Sequence, residues 1–195
     1  MAIKKQTYYG SGTVYEMVYN SATVTIPTTT ADLKTFVEAN ATTANQIGFL
    51  KNGFQVAVTT ENLEDQSDLG EMKVSLITSE SGTMTFALFN SNGETLSRLY
   101  PTAKTTVDGK TTVVGGLGNA AQNDHVIIFV SAQKNEDGER TCFVAVGKNN
   151  SGFNINWNPS SVEPFSCEYT IVPFGTDGEM FTIGDVATAE NYPIQ

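Results

Sequence analysis

Residues 68–100 read DLGEMKVSLITSESGTMTFALFNSNGETLSRLY, and the fold class follows from this stretch. In its first half Val74, Leu76 and Thr78 alternate with Ser75, Ile77 and Ser79. In its second half Met84, Phe86 and Leu88 alternate with Thr83, Thr85 and Ala87. Period-2 alternation in Thr, Val, Ile and Phe is the pattern of a half-buried strand. Between the two runs stands Glu80-Ser81-Gly82, where glycine supplies the positive φ that a tight connection uses, so the stretch predicts a two-stranded hairpin. Ser91-Asn92-Gly93-Glu94 then has the Ser-x-x-Glu spacing of a capping box, and Leu96, Leu99 and Tyr100 recur at helical spacing before Pro101 stops the turn. Hairpin and short helix together cannot bury their own apolar faces, so the unit requires more sheet around it. None of its residues forms a recognisable catalytic arrangement.

Outward from this unit, alternation and turn signals repeat. Residues 13–19 (TVYEMVY) form a strand behind Gly10-Ser11-Gly12. Thr28–Thr30 offer hydroxyl caps to a helix over residues 31–40, with Leu33, Phe36 and Val37 on one stripe. Residues 47–50 and 54–60 flank Lys51-Asn52-Gly53, and Asn-Gly between strand-like runs is a strong hairpin signal. Residues 104–108 and 110–114 flank Asp108-Gly109. Gly115-Gly116-Leu117-Gly118 lacks the Lys and the following helix of a phosphate-binding loop, and reads as a flexible turn. Residues 126–130 (VIIFV) and 141–146 (TCFVAV) are apolar on both faces and joined through Asp137-Gly138, which predicts a central hairpin covered on both sides. Residues 162–173 alternate again, and Asp177-Gly178 introduces a last strand over residues 180–186. The fold class is therefore mainly β, an antiparallel sandwich or partly closed barrel of about eight to ten strands with one or two short flanking helices. No linker or composition shift divides the 195 residues, so one domain is expected.

Charge excludes several functions. The chain carries 11 Lys+Arg against 21 Asp+Glu, a net charge of -10, and its cations are not clustered. Gripping nucleic acid by its phosphates requires the opposite. Charged residues make up 16% of the chain, against roughly 25% in ordinary domains, and Thr-rich polar surface of this kind suits wide contacts in which a buried charge would be costly. No stretch approaches ~18 consecutive apolar residues, so no membrane span is expected, and the N-terminus lacks the apolar core of a secretory signal.

The groups that could carry chemistry are sparse. Cys142 and Cys167 lie in apolar runs and are expected as buried free thiols, as in a protein made in a reducing cytoplasm. His125, the single histidine, neighbours Asp124, but no Gly-x-Ser-x-Gly elbow accompanies it. Two cysteines and one histidine far apart in sequence lack the close pairing of a zinc site. The passage ENLEDQSDLGE, residues 61–71, carries Glu61, Glu64, Asp65, Asp68 and Glu71 without the order of a calcium loop, and reads as a solvated loop or an arm that meets a neighbouring subunit. No catalytic residue, metal site or cofactor is expected.

Taken together, Tyr9-Gly10, Gly48-Phe49-Leu50 with Asn52-Gly53-Phe54, Asp68-Leu69-Gly70-Glu71, residues 77–86 (ITSESGTMTF), Glu94-Thr95-Leu96, Pro173-Phe174 and Phe181-Thr182-Ile183-Gly184 resemble the major tail tube proteins of long-tailed, siphovirus-type bacteriophages. The likeness covers most of the chain apart from residues 104–123. It implies a β-sandwich subunit with a flanking helix, closing into hexameric rings that stack into the hollow tail of the virion, assembled in the host cytoplasm. Sheets from all subunits would line the lumen as one continuous barrel without edges. The partners it implies are other copies of the chain and the tape measure, tail terminator and distal tail proteins. DNA would pass through an acidic lumen without specific binding. Ring-stacking contacts would fall on Glu61, Glu64, Asp65, Asp68, Glu71, Phe54, Tyr8 and Tyr9, with residues 1–12 and 187–195 as terminal arms. The alternatives are a carbohydrate-binding or adhesin-like sandwich using Trp157, Tyr8, Tyr9, Tyr15 and Tyr19, a capsid decoration or head–tail completion protein, and last an enzyme.

Overall fold

A computed structural model describes residues 12–66, 73–89, 93–100, 102–107, 111–119, 123–154 and 165–188. In chain order the elements are β1 (Gly12–Val18), α1 (Thr30–Asn40), β2 (Gln46–Gln66), β3 (Lys73–Leu88), α2 (Gly93–Leu99), β4 (Ala103–Val107), β5 (Thr111–Gly115), β6 (His125–Lys134), β7 (Arg140–Lys148), β8 (Phe153–Asn154), β9 (Phe165–Ile171) and β10 (Phe181–Val186). The protein is mainly β, and every described pairing of strands is antiparallel.

The main sheet has the order β10-β7-β6-β1-β2-β3-β9-β8, and a further pairing of β7 with β9 closes six of these strands into a barrel. The closure follows from the division of β7's second edge. Residues 140–145 pair with β10, while Gly147 and Lys148 pair with Ile171 and Thr170 of β9. β4 and β5 form a separate two-stranded sheet.

Two cores result. Inside the barrel lie Val14, Ile47, Met84, Phe86, Leu88, Ile127, Phe143, Ala145, Phe165, Cys167, Tyr169 and Ile171. On its outer side α1 covers Tyr15, Val126, Ile128, Val130, Cys142, Val144 and Val146 with Leu33 and Val37. The apolar runs of β6 and β7 are thus covered on both faces within this chain. Thr29 caps α1, its hydroxyl oxygen accepting from the Asp32 amide at 3.2 Å. Burying Leu33 and Val37 contributes roughly 1.5–3 kcal/mol each. The short α2 closes one end of the barrel, with Leu99 in the interior and the Thr95 hydroxyl donating to the Ile47 carbonyl at 3.1 Å.

Two expected turns are absent. Glu80-Ser81-Gly82 does not connect two strands but lies within β3. Gly82 answers to close packing rather than to a turn: a Cβ there would come within 2.8 Å of Ile171 Cδ1 and Met180 Cε, side-chain ends that would have to shift. Lys51-Asn52-Gly53 likewise lies within β2. Leu50 pairs with Leu88 and Phe54 with Phe86, so three residues of β2 bulge opposite one of β3. Asn52 (φ 72°) and Gly53 (φ 83°) use the positive φ favoured in hairpin turns to build this bulge instead. The other glycine signals hold: Gly138 (φ 78°) turns β6 into β7, and Gly178 (φ 76°) lies in the turn closed by the Phe174–Glu179 bridge before β10. Gly115-Gly116-Leu117-Gly118 leads into one turn of 3-10 helix, Leu117–Asn119. The capping serine, the Asp108-Gly109 turn and Trp157 lie outside the described residues.

Candidate assembly interface

β2 and β3 are far longer than the barrel they belong to. β3 pairs with β9 only over residues 83–88, and β2 pairs with β1 only over residues 46–49, yet the two remain paired with each other from Leu50–Leu88 out to Gln66–Lys73. Beyond Val58 and Gly82 they form a two-stranded arm about 25 Å long at roughly 3.3 Å per residue. All its side chains that are described between residues 59 and 81 are exposed.

Its faces are set by a second irregularity. Glu61 pairs with Ser79, but Asn62 pairs with Ile77, so Thr78 is an extra residue whose hydroxyl donates to the Glu61 carbonyl at 3.2 Å. One extra residue exchanges the faces of everything beyond it. Met84 and Phe86 point into the barrel, and Val74 and Leu76 would share their side without Thr78. With it they join Leu63 on the opposite face, Leu63 directly across from Leu76 and Asp65 across from Val74. Leu63 is 55% and Leu76 57% exposed, while Ile77, on the other face, is 70% exposed. Apolar side chains this open, clustered on a projecting ribbon, are the kind of surface that interaction sites present. Isolated two-stranded ribbons are marginal in water, which points the same way.

Of the residues expected at an interface, Glu61, Glu64 and Asp65 stand on the β2 strand of the arm and are exposed. Glu64 forms an ion pair with Lys73 at 3.0 Å, and Glu61 accepts from the Ser79 hydroxyl at 2.9 Å. Phe54 stands apart from them. It lies in the barrel section of β2, paired with Phe86, stacked on Phe129 (centroids 4.9 Å, 7° between planes) and on Phe86 (5.9 Å), with Phe143 tilted against it at 5.5 Å. It belongs to the core and not to the arm. Asp68, Glu71, Tyr8 and Tyr9 lie outside the described residues. The acidic passage is therefore strand, not loop, at least as far as Gln66. Val74, Leu76 and Ile77 read in the sequence as one run of a half-buried strand rather than as contact residues, and Leu63, the one apolar side chain within ENLEDQ, carried a signal for the same surface.

A second polar constellation lies inside the barrel. The partner of His125 is not its neighbour Asp124 but Glu16, whose Oε1 lies within hydrogen-bonding distance of His125 Nδ1. Glu16 is 3% exposed. The Tyr169 ring stands edge-on to the imidazole at 6.3 Å. Burial pushes the Tyr169 hydroxyl well above its ordinary pKa, with Cys167 and Glu16 adding to the effect and the Asn149 side chain opposing it. This is a carboxylate–imidazole pair enclosed by the fold, which joins β1 to β6. Both cysteines are buried free thiols, and burial, reinforced by Asp185, pushes Cys142 up to about 12. Among the described residues no three His, Cys, Asp or Glu side chains gather as a metal site would need, and no helix is long and apolar enough to cross a membrane.

Comparison with known proteins adds no relative: no family model matches the chain, and no curated protein is similar to it.

Proposed function

We propose that this chain is a structural subunit that assembles with copies of itself through the β2–β3 arm, as the major tail tube protein of a siphovirus-type phage would. The observation that carries this reading is the arm itself, a ribbon about 25 Å long with Leu63, Val74, Leu76 and Ile77 open to solvent. A monomer gains nothing from that exposure, whereas a subunit that reaches a neighbour buries it. The likeness of residues 77–86 to tail tube proteins falls on the same strand, and the closed barrel gives a rigid base from which an arm can project. In this reading hexameric rings stack into a hollow tube. The net charge of -10 keeps the wall from binding the DNA that passes, and the tape measure, tail terminator and distal tail proteins complete the tail. The carbohydrate-binding alternative loses one of its aromatic side chains, since Tyr15 is buried beneath α1.

Negative-stain electron microscopy of the purified protein over a concentration series tests the proposal. Hollow rings or tubes are expected, with a sedimentation coefficient that rises with concentration. A protein that stays monomeric at every concentration and binds a glycan overturns it.

A further inference from the structure

The arm requires a receptor, and the outer side of its own base has the properties of one. This inference deepens the self-assembly reading and rests on it. We propose that Leu63, Val74 and Leu76, the apolar cluster at the outer end of the arm, dock in a second copy on Phe49 and Phe89 at the base of the same two strands.

Both patches lie on one side of the β2–β3 ladder. Leu50 and Leu88 pair with each other and turn inward with Met84 and Phe86. Alternation therefore sends Phe49 and Phe89, each one residue away, to the outer side. They are 43% and 52% exposed, and the Phe89 amide donates to the Phe49 carbonyl at 2.7 Å. The extra residue at Thr78 brings Val74 and Leu76 to this same side, beside Leu63. The ladder is paired from Leu50–Leu88 out to Gln66–Lys73, so it holds the two patches roughly 35 Å apart. Within one chain they never meet.

Charge selects this receptor. Glu61 and Asp65 alternate with Leu63 onto the same side of the ribbon. Each copy carries a net charge of -10, so a second copy repels that end of the arm except where it presents a cation. At the base patch a cation is held in place: Lys51 Nζ lies 5.7 Å from the centroid of the Phe89 ring. Aliphatic side chains on two rings, with carboxylates beside a lysine at the rim, give the apolar centre and charged border of an interface. The two patches differ, so the contact is head-to-tail, and its repetition closes a ring or grows a filament. Thr78 gains a role in this arrangement. Without the extra residue Val74 and Leu76 would leave the side on which Leu63 stands.

Two variants, each blocked at one patch, test the docking. Leu76→Asp spoils the outer cluster and keeps the base, whereas Phe89→Asp spoils the base and keeps the outer cluster. Either alone is expected to raise the critical concentration for assembly on the order of a hundredfold, because contact would strand the new charge among apolar side chains. The two are then mixed in equal amounts at a concentration where the unmodified protein assembles and neither variant does. A 1:1 dimer that grows no further is expected in sedimentation, since only one intact pair of patches remains. Leu63→Ser with Phe49→Ser repeats the test with neutral changes if an aspartate variant does not fold. Assembly of either variant alone at the concentration of the unmodified protein, or a mixture that stays monomeric, overturns the base patch as receptor and leaves the assembly reading intact. Failure of the unmodified protein to assemble at any concentration overturns both.

Discussion

The two halves of β3 have the same kind of sequence and opposite environments. Residues 83–88 (TMTFAL) alternate, pair with β2 and β9, and send Met84, Phe86 and Leu88 into the barrel. Residues 73–81 (KVSLITSES) alternate as well, pair with β2 alone, and bury nothing within the subunit. Alternation therefore identifies a strand without saying whether its apolar face meets the subunit's own core or a neighbour's surface. The difference lies in the third strand: where β9 flanks β3 the sheet curls into the barrel, and where β9 ends it becomes a free ribbon.

Substitutions on either side of that boundary separate stability from assembly. Phe86→Ala, in the stack with Phe54 and Tyr169, is expected to destabilise the subunit by about 3–5 kcal/mol, measured by denaturant unfolding. His125→Ala leaves the Glu16 carboxylate buried without its partner and costs about 3 kcal/mol by the same measurement. Replacing both Glu16 and His125 by leucine costs less than the single change, because no charge is then stranded.

Alkali gives a comparable effect, also confined to the body. Cys142 has its pKa raised from 9.0 to about 12, so the folded state holds the thiol proton that the unfolded state releases. Its contribution is fully present below pH 9 and is lost as the pH rises towards 12, the loss reaching roughly 3 kcal/mol by pH 11. The pH profile of unfolding for Cys142→Ala should lack this part of the decline. At the bottom of the scale, Leu76→Ser on the arm is expected to change monomer stability by less than about 0.5 kcal/mol while weakening assembly in sedimentation. Equal destabilisation by Leu76→Ser and Phe86→Ala would remove the distinction between the two halves.

How far the sequence reaches can be judged along the same strands. The mainly β class, α1 with its Leu33–Val37 stripe, and the two-faced burial of β6 and β7 were all legible, because each depends on local periodicity. The length of β2 and β3 was not. Asn52-Gly53 and Ser81-Gly82 both look like turns, since positive φ and a missing Cβ serve turns, bulges and close approaches alike. Only the pairing partners decide among these, and partners are long-range. The bulge at Thr78 was hidden for the same reason, and with it the face on which Leu76 and Val74 emerge. Glu16 announced itself as a charge within TVYEMVY, but its link to His125 required the register of β1 against β6, in which Val18 pairs with His125. The acidic residues of the arm were legible by composition, but not that they stand on a strand. The apolar ones, which carry the argument for contact, became visible only once the arm stood clear of the barrel.

The central claim is that the arm serves contact between copies and not the fold of one copy. Thr59 pairs directly with Ser81, so residues 60–80 can be replaced by Asn-Gly, which closes a two-residue hairpin between paired positions. Unfolding and negative-stain microscopy of this shortened chain beside the full one form the most direct test. A folded monomer of unchanged stability that no longer forms rings or tubes is the predicted result. Rings or tubes that persist without the arm, or a shortened chain that no longer folds, would contradict the account.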